Sequence, residues 1–258
     1  MSATDSRPRD GHTSGESGGL IRRWPRPGVR PGVGRVLAQL ATRAVLPGLL
    51  VWAAIVALGK LIMGPLHELR PEEALSQDIE ADRSGLWNTL TDVWSTSTDT
   101  WFTIGTAVVV SLLIWYLTRR WWVGMVPLVA ITLESTIFVT ATHLVGRPRP
   151  EVSRPDQAPP TSSFPSGHAA AAMALWLSIA LLSLRIERAW LRWPIVVFSV
   201  ALPVLVAFSR FYRGAHHVID IVVGVLLGIF CAFVAVRSVR ETAQAPHERD
   251  ESAQPRSA

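Results

Sequence analysis

Six apolar runs, at about 44–64, 101–118, 121–145, 168–184, 193–209 and 217–236, alternate with polar segments along the chain. Each comes near the roughly 20 residues that a helix needs to cross the hydrocarbon core of a bilayer. The pattern predicts an all-α, polytopic membrane protein, with a bundle of six transmembrane helices over 35–236. The fifth run is short and carries Pro194 and Pro203, which a packed bundle tolerates. Before the first run, residues 1–34 are rich in Gly, Pro, Ser and Arg without apolar periodicity and read as a disordered tail. That stretch is not expected to be a signal peptide, because the first apolar run begins only near Val45, after many Arg. Residues 237–258 are polar and read as a second disordered tail.

The polar segments orient the bundle. Arg22, Arg23, Arg26, Arg30, Arg35 and Arg43 precede the first span, Arg119 and Arg120 join the second to the third, Arg185, Arg188 and Arg192 join the fourth to the fifth, and Arg237 and Arg240 follow the sixth. Six spans put all of these on one side, which the positive-inside rule makes cytoplasmic, so both tails are expected inside. The opposite side carries the loop 65–100, where Glu68, Glu72, Glu73, Asp78, Glu80 and Asp82 outweigh Arg70 and Arg83. Its partly helical pattern reads as a solvated face over the membrane. Arg147, Arg149, Arg154, Arg210 and Arg213 break the charge rule by lying on that outer side.

Composition agrees with this picture. The 258 residues are 49% hydrophobic and 17% charged, with a mean hydropathy of +0.28, too apolar for an ordinary soluble domain. The formal charge of +5 comes almost wholly from Arg placed between apolar runs, where bilayer rules account for it better than nucleic acid does. A single cysteine, Cys231, excludes an internal disulfide framework and a Cys-based zinc site.

The outer ends of the spans hold the chemistry. GRPRP at 146–150, FPSGHAA at 164–170 and SRFYRGAHHVID at 209–220 meet one interface, and His143, His168, His216 and His217 all fall there. Arg149 and Arg210 offer planar forks of donors that match phosphate oxygens. Ser166, Gly167 and His168 open the fourth span, where free backbone N–H groups and the helix dipole favour an anion, and Gly167 permits close approach. His216 and Asp220 are four apart at the opening of the sixth span, so the carboxylate is expected to accept from the imidazole and leave the other ring nitrogen as a nucleophile. His168, from another segment, is the natural proton donor to a leaving oxygen. Such a set suits phosphoryl transfer without a metal or other cofactor. Glu134, near the middle of the third span, is expected to face the bundle or be protonated. It lies about 12 Å below Thr142 by helix rise and reads as a structural hydrogen bond.

These segments resemble the signature of the type 2 phosphatidic acid phosphatase (PAP2) superfamily, which pairs a Lys-then-RP motif with PSGH and with SR, five residues, His, three residues, Asp. PSGH is Pro165 to His168, and the third motif is Ser209, Arg210, His216 and Asp220. The resemblance implies an integral membrane lipid phosphatase working through a phosphohistidine without metal, its site on the extracytoplasmic face. In it His216 is the nucleophile, His168 acid then base, Asp220 the orienter, and Arg149, Ser166, Gly167 and Arg210 the phosphate binders. His217 has no role by position.

Where the first motif expects Lys the chain has Thr142, and its only Lys is Lys60. Arg147 is the expected stand-in, with His143 and Lys60 as alternatives, or the Thr142 hydroxyl bonds a phosphate oxygen directly. Expected partners are a lipid phosphate, namely polyprenyl diphosphate, phosphatidic acid or phosphatidylglycerol phosphate, and the bilayer. Arg usage and Ala-rich spans suggest a GC-rich bacterial source and tilt the expectation towards a polyprenyl carrier. The rival readings are a vanadium-dependent haloperoxidase, a phosphotransferase on the same site, and a non-catalytic lipid-binding protein on the same fold.

Overall fold

The computed structural model describes residues 33–66, 71–156 and 161–242. Among these the regular structure is helical: α1 (Val33–Met63), α2 (Pro71–Ala81), α3 (Gly85–Thr96), α4 (Thr100–Thr118), α5 (Trp121–Gly124), α6 (Val126–Val145), α7 (Gly167–Ser183), α8 (Ala189–Tyr212) and α9 (Val218–Thr242). Five stretches are long and apolar enough to cross a membrane: Thr42–Met63, Thr100–Thr118, Trp121–Val145, Ala189–Tyr212 and Val218–Ser238. The expected fourth span is the 17-residue α7, about 25 Å long at the usual helix rise. It is short because it is the inner helix: Ala169, Ala170, Ala172 and Ala174 are fully buried against α6, α8 and α9.

Several boundaries move from their expected places. α1 starts at Val33 and α9 runs to Thr242, so Val33, Gly34 and residues 237–242, expected in tails, are helical. The rest of both tails lies outside the described residues. α8 begins at Ala189 rather than 193, taking Arg192, expected in the preceding turn, into its first turns. Long Arg stems can lie along an apolar surface with the charge in water, so a helix does not stop where hydropathy falls. Pro47, Pro194 and Pro203 sit inside helices.

α6 ends at Gly146, whose φ of 72° supplies the left-handed turn that stops the helix. The seam between α7 and α9 depends on two further glycines. A Cβ on Gly224 would lie 2.4 Å from the Ser166 carbonyl oxygen, and one on Gly228 would lie 2.5 Å from that of Ala170. This small-xxx-small spacing lets two backbones touch where no hydrophobic force drives helices together. Cys231, one turn further along α9, is fully buried. Large apolar side chains such as Trp101, Val109, Tyr116 and Val197 point outward, as a lipid-facing surface requires.

Candidate active site

One end of the bundle collects the C-termini of α6 and α8, the N-termini of α4, α7 and α9, and the loop between α6 and α7. Contacts fix this meeting: the Ser166 backbone N–H donates to the Asp220 carbonyl at 2.9 Å, and Arg210 Nη1 donates to Ser95 Oγ on α3 at 2.6 Å. Beneath lies a cavity of about 460 Å³, reached by Arg149, Gly167, His168, Arg210 and His216 and otherwise walled by threonine and serine side chains, Glu134 and apolar residues.

His216 is buried in the loop just before α9. Its Nδ1 lies 2.7 Å from the Ser163 carbonyl oxygen. A carbonyl can only accept, so Nδ1 carries the hydrogen and Nε2 keeps its lone pair. Nε2 sits 3.4 Å from Arg149 Nη1. Burial first, then the charges of Arg210 and Arg149, hold the His216 pKa well below its ordinary 6.5. The ring is therefore neutral at physiological pH.

Arg149 is anchored by Nη1 donating to the Ala215 carbonyl at 2.7 Å and reaches Thr161 Oγ1 at 3.4 Å. Burial and the neighbouring Arg210 and Arg154 lower its pKa to about 10, which still leaves it charged. Arg210 lies 3.4 Å from Asp156. Asp156 also pairs with the buried Arg213, whose hydrogen bond pulls the Asp156 pKa down. His168 opens α7 with Nε2 at 3.5 Å from Asp99 Oδ1. Gly167 packs so tightly that a Cβ would lie 2.6 Å from the Phe138 ring. The Ser166 hydroxyl is buried without a partner among the described residues.

Asp220 departs from its expected role. It accepts from Arg147 Nη1 at 2.5 Å, from Ser163 Oγ at 2.5 Å and from the His217 backbone N–H at 3.0 Å, with His217 Nδ1 at 3.3 Å; the imidazole it meets is that of His217, and the His216 ring is hydrogen-bonded to Ser163 instead. α9 begins only at Val218, so His216 precedes the helix and the shared-face rule for positions four apart does not apply to it. Asp220, at the third helical position, reaches back to cap the helix start. Its hold on His216 is indirect, through Ser163.

The stand-ins for the missing Lys also land elsewhere. Arg147 is buried with its guanidinium between Asp220 and Glu72, whose Oε2 lies 2.9 Å away, and it does not line the cavity. Buried charge needs a partner, and these two carboxylates claim the fork. Thr142 is buried outside the cavity, with its hydroxyl 3.4 Å from the Ser162 carbonyl. His143 and Lys60 are exposed and also lie outside the cavity lining.

The acidic loop is more than a solvated face. Glu72 Oε1 accepts the Ile219 N–H at 2.9 Å, Glu73 that of Glu151 at 2.8 Å and Glu80 that of Ser153 at 2.9 Å. α2 thus ties the loop 146–156 to the start of α9. Asp78 and Asp82 are exposed as expected, and Glu68 lies outside the described residues. Asp99, Asp156 and Ser163 went unrecognised in the sequence; the one local signal was the hydroxyl run Thr161, Ser162, Ser163 before FPSGH.

The model of the PAP2 superfamily matches residues 124–243, a stretch containing the three motif segments. The fold is similar to that of a transmembrane PAP2-type phosphatidylglycerolphosphate phosphatase from Bacillus subtilis, with a TM-score of 0.61 and 19% identity, covering 83% of this chain and 97% of that one. LpxE of Aquifex aeolicus aligns with a TM-score of 0.49 and 21% identity, over 64% of this chain and 93% of that one. No match was found among curated protein sequences. With its membrane-spanning helices, this integral membrane protein is similar to the PAP2 superfamily over residues 124–243.

Proposed function

We propose that the protein hydrolyses a lipid phosphate or diphosphate at the extracytoplasmic face of the membrane through a phosphohistidine. The observation that carries this reading is the convergence on one cavity of a neutral His216, with Nε2 free of its hydrogen, and of His168, Arg149 and Arg210. The phosphate sits against the start of α7, at the backbone of Gly167, and between the two guanidinium groups. His216 Nε2 attacks phosphorus as the bond to the leaving oxygen breaks, and His168 gives that oxygen its proton. His168 then takes a proton from a water that attacks phosphorus. The P–N bond breaks and inorganic phosphate leaves. Arg149 and Arg210 stabilise the charge on the transferring group in both steps.

Asp220, Ser163 and Arg147 are positioning groups in this scheme. No step calls on a metal ion. The lipid tail leaves the cavity between helices towards the bilayer, so the headgroup alone enters the polar end.

The test is phosphate release by the detergent-purified chain from phosphatidic acid, phosphatidylglycerol phosphate and polyprenyl diphosphate, with and without chelator. Release that survives chelator, a phosphoenzyme stable to base but labile to acid, and loss of both in His216→Ala are expected. Release that His216→Ala retains would overturn the mechanism.

A further inference from the structure

Glu134 lies on α6 with 1% of its surface exposed. Ser135 Oγ donates to its Oε2 at 3.1 Å. Its Oε1 is buried and has no partner among the described residues. Both side chains line the active-site cavity. The sequence measured depth from Thr142, which lies outside the cavity; Phe138 is the better marker. Its ring packs on Gly167 at the phosphate end, and Glu134 is four residues, about 6 Å of helix rise, below it. The carboxyl therefore faces the part of a bound lipid that follows the phosphate ester. The same cavity is lined by Ile104, Ile131, Val139 and Ala171 and by Thr98, Thr100 and Thr103.

We propose that Glu134, backed by Ser135, is a specificity subsite that hydrogen-bonds a hydroxyl or amide on the carbons next to the phosphate ester of the substrate lipid. Ser135 already supplies the donor to one carboxyl oxygen, and the other, as carbonyl oxygen or as O–H, calls for a polar partner from the ligand, which a hydroxyl or an amide can be in either role. A lipid with bare methylenes there leaves a buried oxygen unpaired, and a site built for a hydrogen bond rejects such an analogue far more strongly than a hydrophobic pocket rejects a missing methylene. The subsite favours a monoacylglycerol phosphate or an amide-linked lipid phosphate over a polyprenyl phosphate. The proposal rests on the reading of the site as a lipid phosphatase and narrows its substrate.

Two matched probes test it: 1-oleoylglycerol 3-phosphate, which carries the hydroxyl, and its 2-deoxy analogue, which lacks it. With the full chain in detergent, kcat/KM should favour the hydroxyl-bearing lipid by about tenfold or more. In Glu134→Leu that ratio should collapse towards one, and in Glu134→Gln, which keeps a carbonyl oxygen, much of it should survive. A wild-type ratio near one overturns the subsite. So does a ratio that Glu134→Leu preserves while both rates fall, since that marks a structural role. Release from neither probe nor any other lipid phosphate overturns the phosphatase reading itself and the subsite with it, whereas release without preference overturns the subsite alone.

Discussion

The His216 ring is held through a main-chain oxygen, the Ser163 carbonyl at 2.7 Å, which mutation of a side chain cannot remove. Its low pKa, set by burial and then by Arg210 and Arg149, means that protonation switches off the nucleophile only well below pH 6.5. The acid limb of phosphoenzyme formation should therefore lie well on the acid side of neutrality. Arg149→Leu removes one of the charges that hold the pKa down, so the limb should move to higher pH while the rate falls. A limb that stays put in single-turnover kinetics would count against His216 as the titrating group. Arg147 gives the contrasting case. Arg147→Ala strips a buried partner from Asp220 and should cost about 3 kcal/mol of stability, read as a lower thermal midpoint in detergent. It should lower kcat with little change in KM, whereas Arg149→Ala should raise KM, because Arg149 reaches the cavity and Arg147 does not.

At the scale of elements, α7 and α9 share the closest seam, and it is glycine that makes it close. Gly228→Ala forces a methyl to within 2.5 Å of a carbonyl oxygen and 2.6 Å of Met173 Cβ, a clash with little room to relax, and should destabilise the protein by about 1–3 kcal/mol. Gly105→Ala on α4, with nothing within 4 Å of the new methyl, should be neutral or stabilising by up to about 1 kcal/mol, since alanine is the better helix former. Paired melting curves of the two variants separate close packing from helix propensity. The GxxxG spacing at 224–228 stands in the sequence but carries no meaning there until α7 is known to be its neighbour. PSGH and the third motif were legible, because the residues of each lie near one another along the chain. The partners of Asp220 were not, for they hinge on where α9 starts, and its start at Val218 leaves His216 off the helix face. Asp99, Asp156 and Glu72 were hidden for another reason. Each acts across more than fifty residues, on Gly167's neighbour, on Arg213 and on Arg147, and no periodicity encodes such a meeting.

On the whole molecule, the apolar runs predicted the crossings well, because a bilayer demands continuous hydrophobic length whatever the tertiary structure. The fourth run corresponds to α7, which is shorter than the rest because its surroundings are protein rather than lipid. The segment 71–96 was misread for a related reason: its charges are spent on the protein beneath, through Glu72, Glu73, Glu80 and Arg83, so polarity there signals a cap and not open water. The site, the cap and the loop 146–156 share one end of the bundle, and the loop 184–188 lies at the other.

Burial of the single sulfhydryl at Cys231 leaves the native surface silent to maleimides. A thiol placed at the exposed Ser153 or Glu187 then becomes a unique reporter in intact cells. A membrane-impermeant maleimide should label Ser153→Cys from outside and reach Glu187→Cys only after the cells are opened. The reverse order would turn the bundle over and put the cavity on the cytoplasmic face.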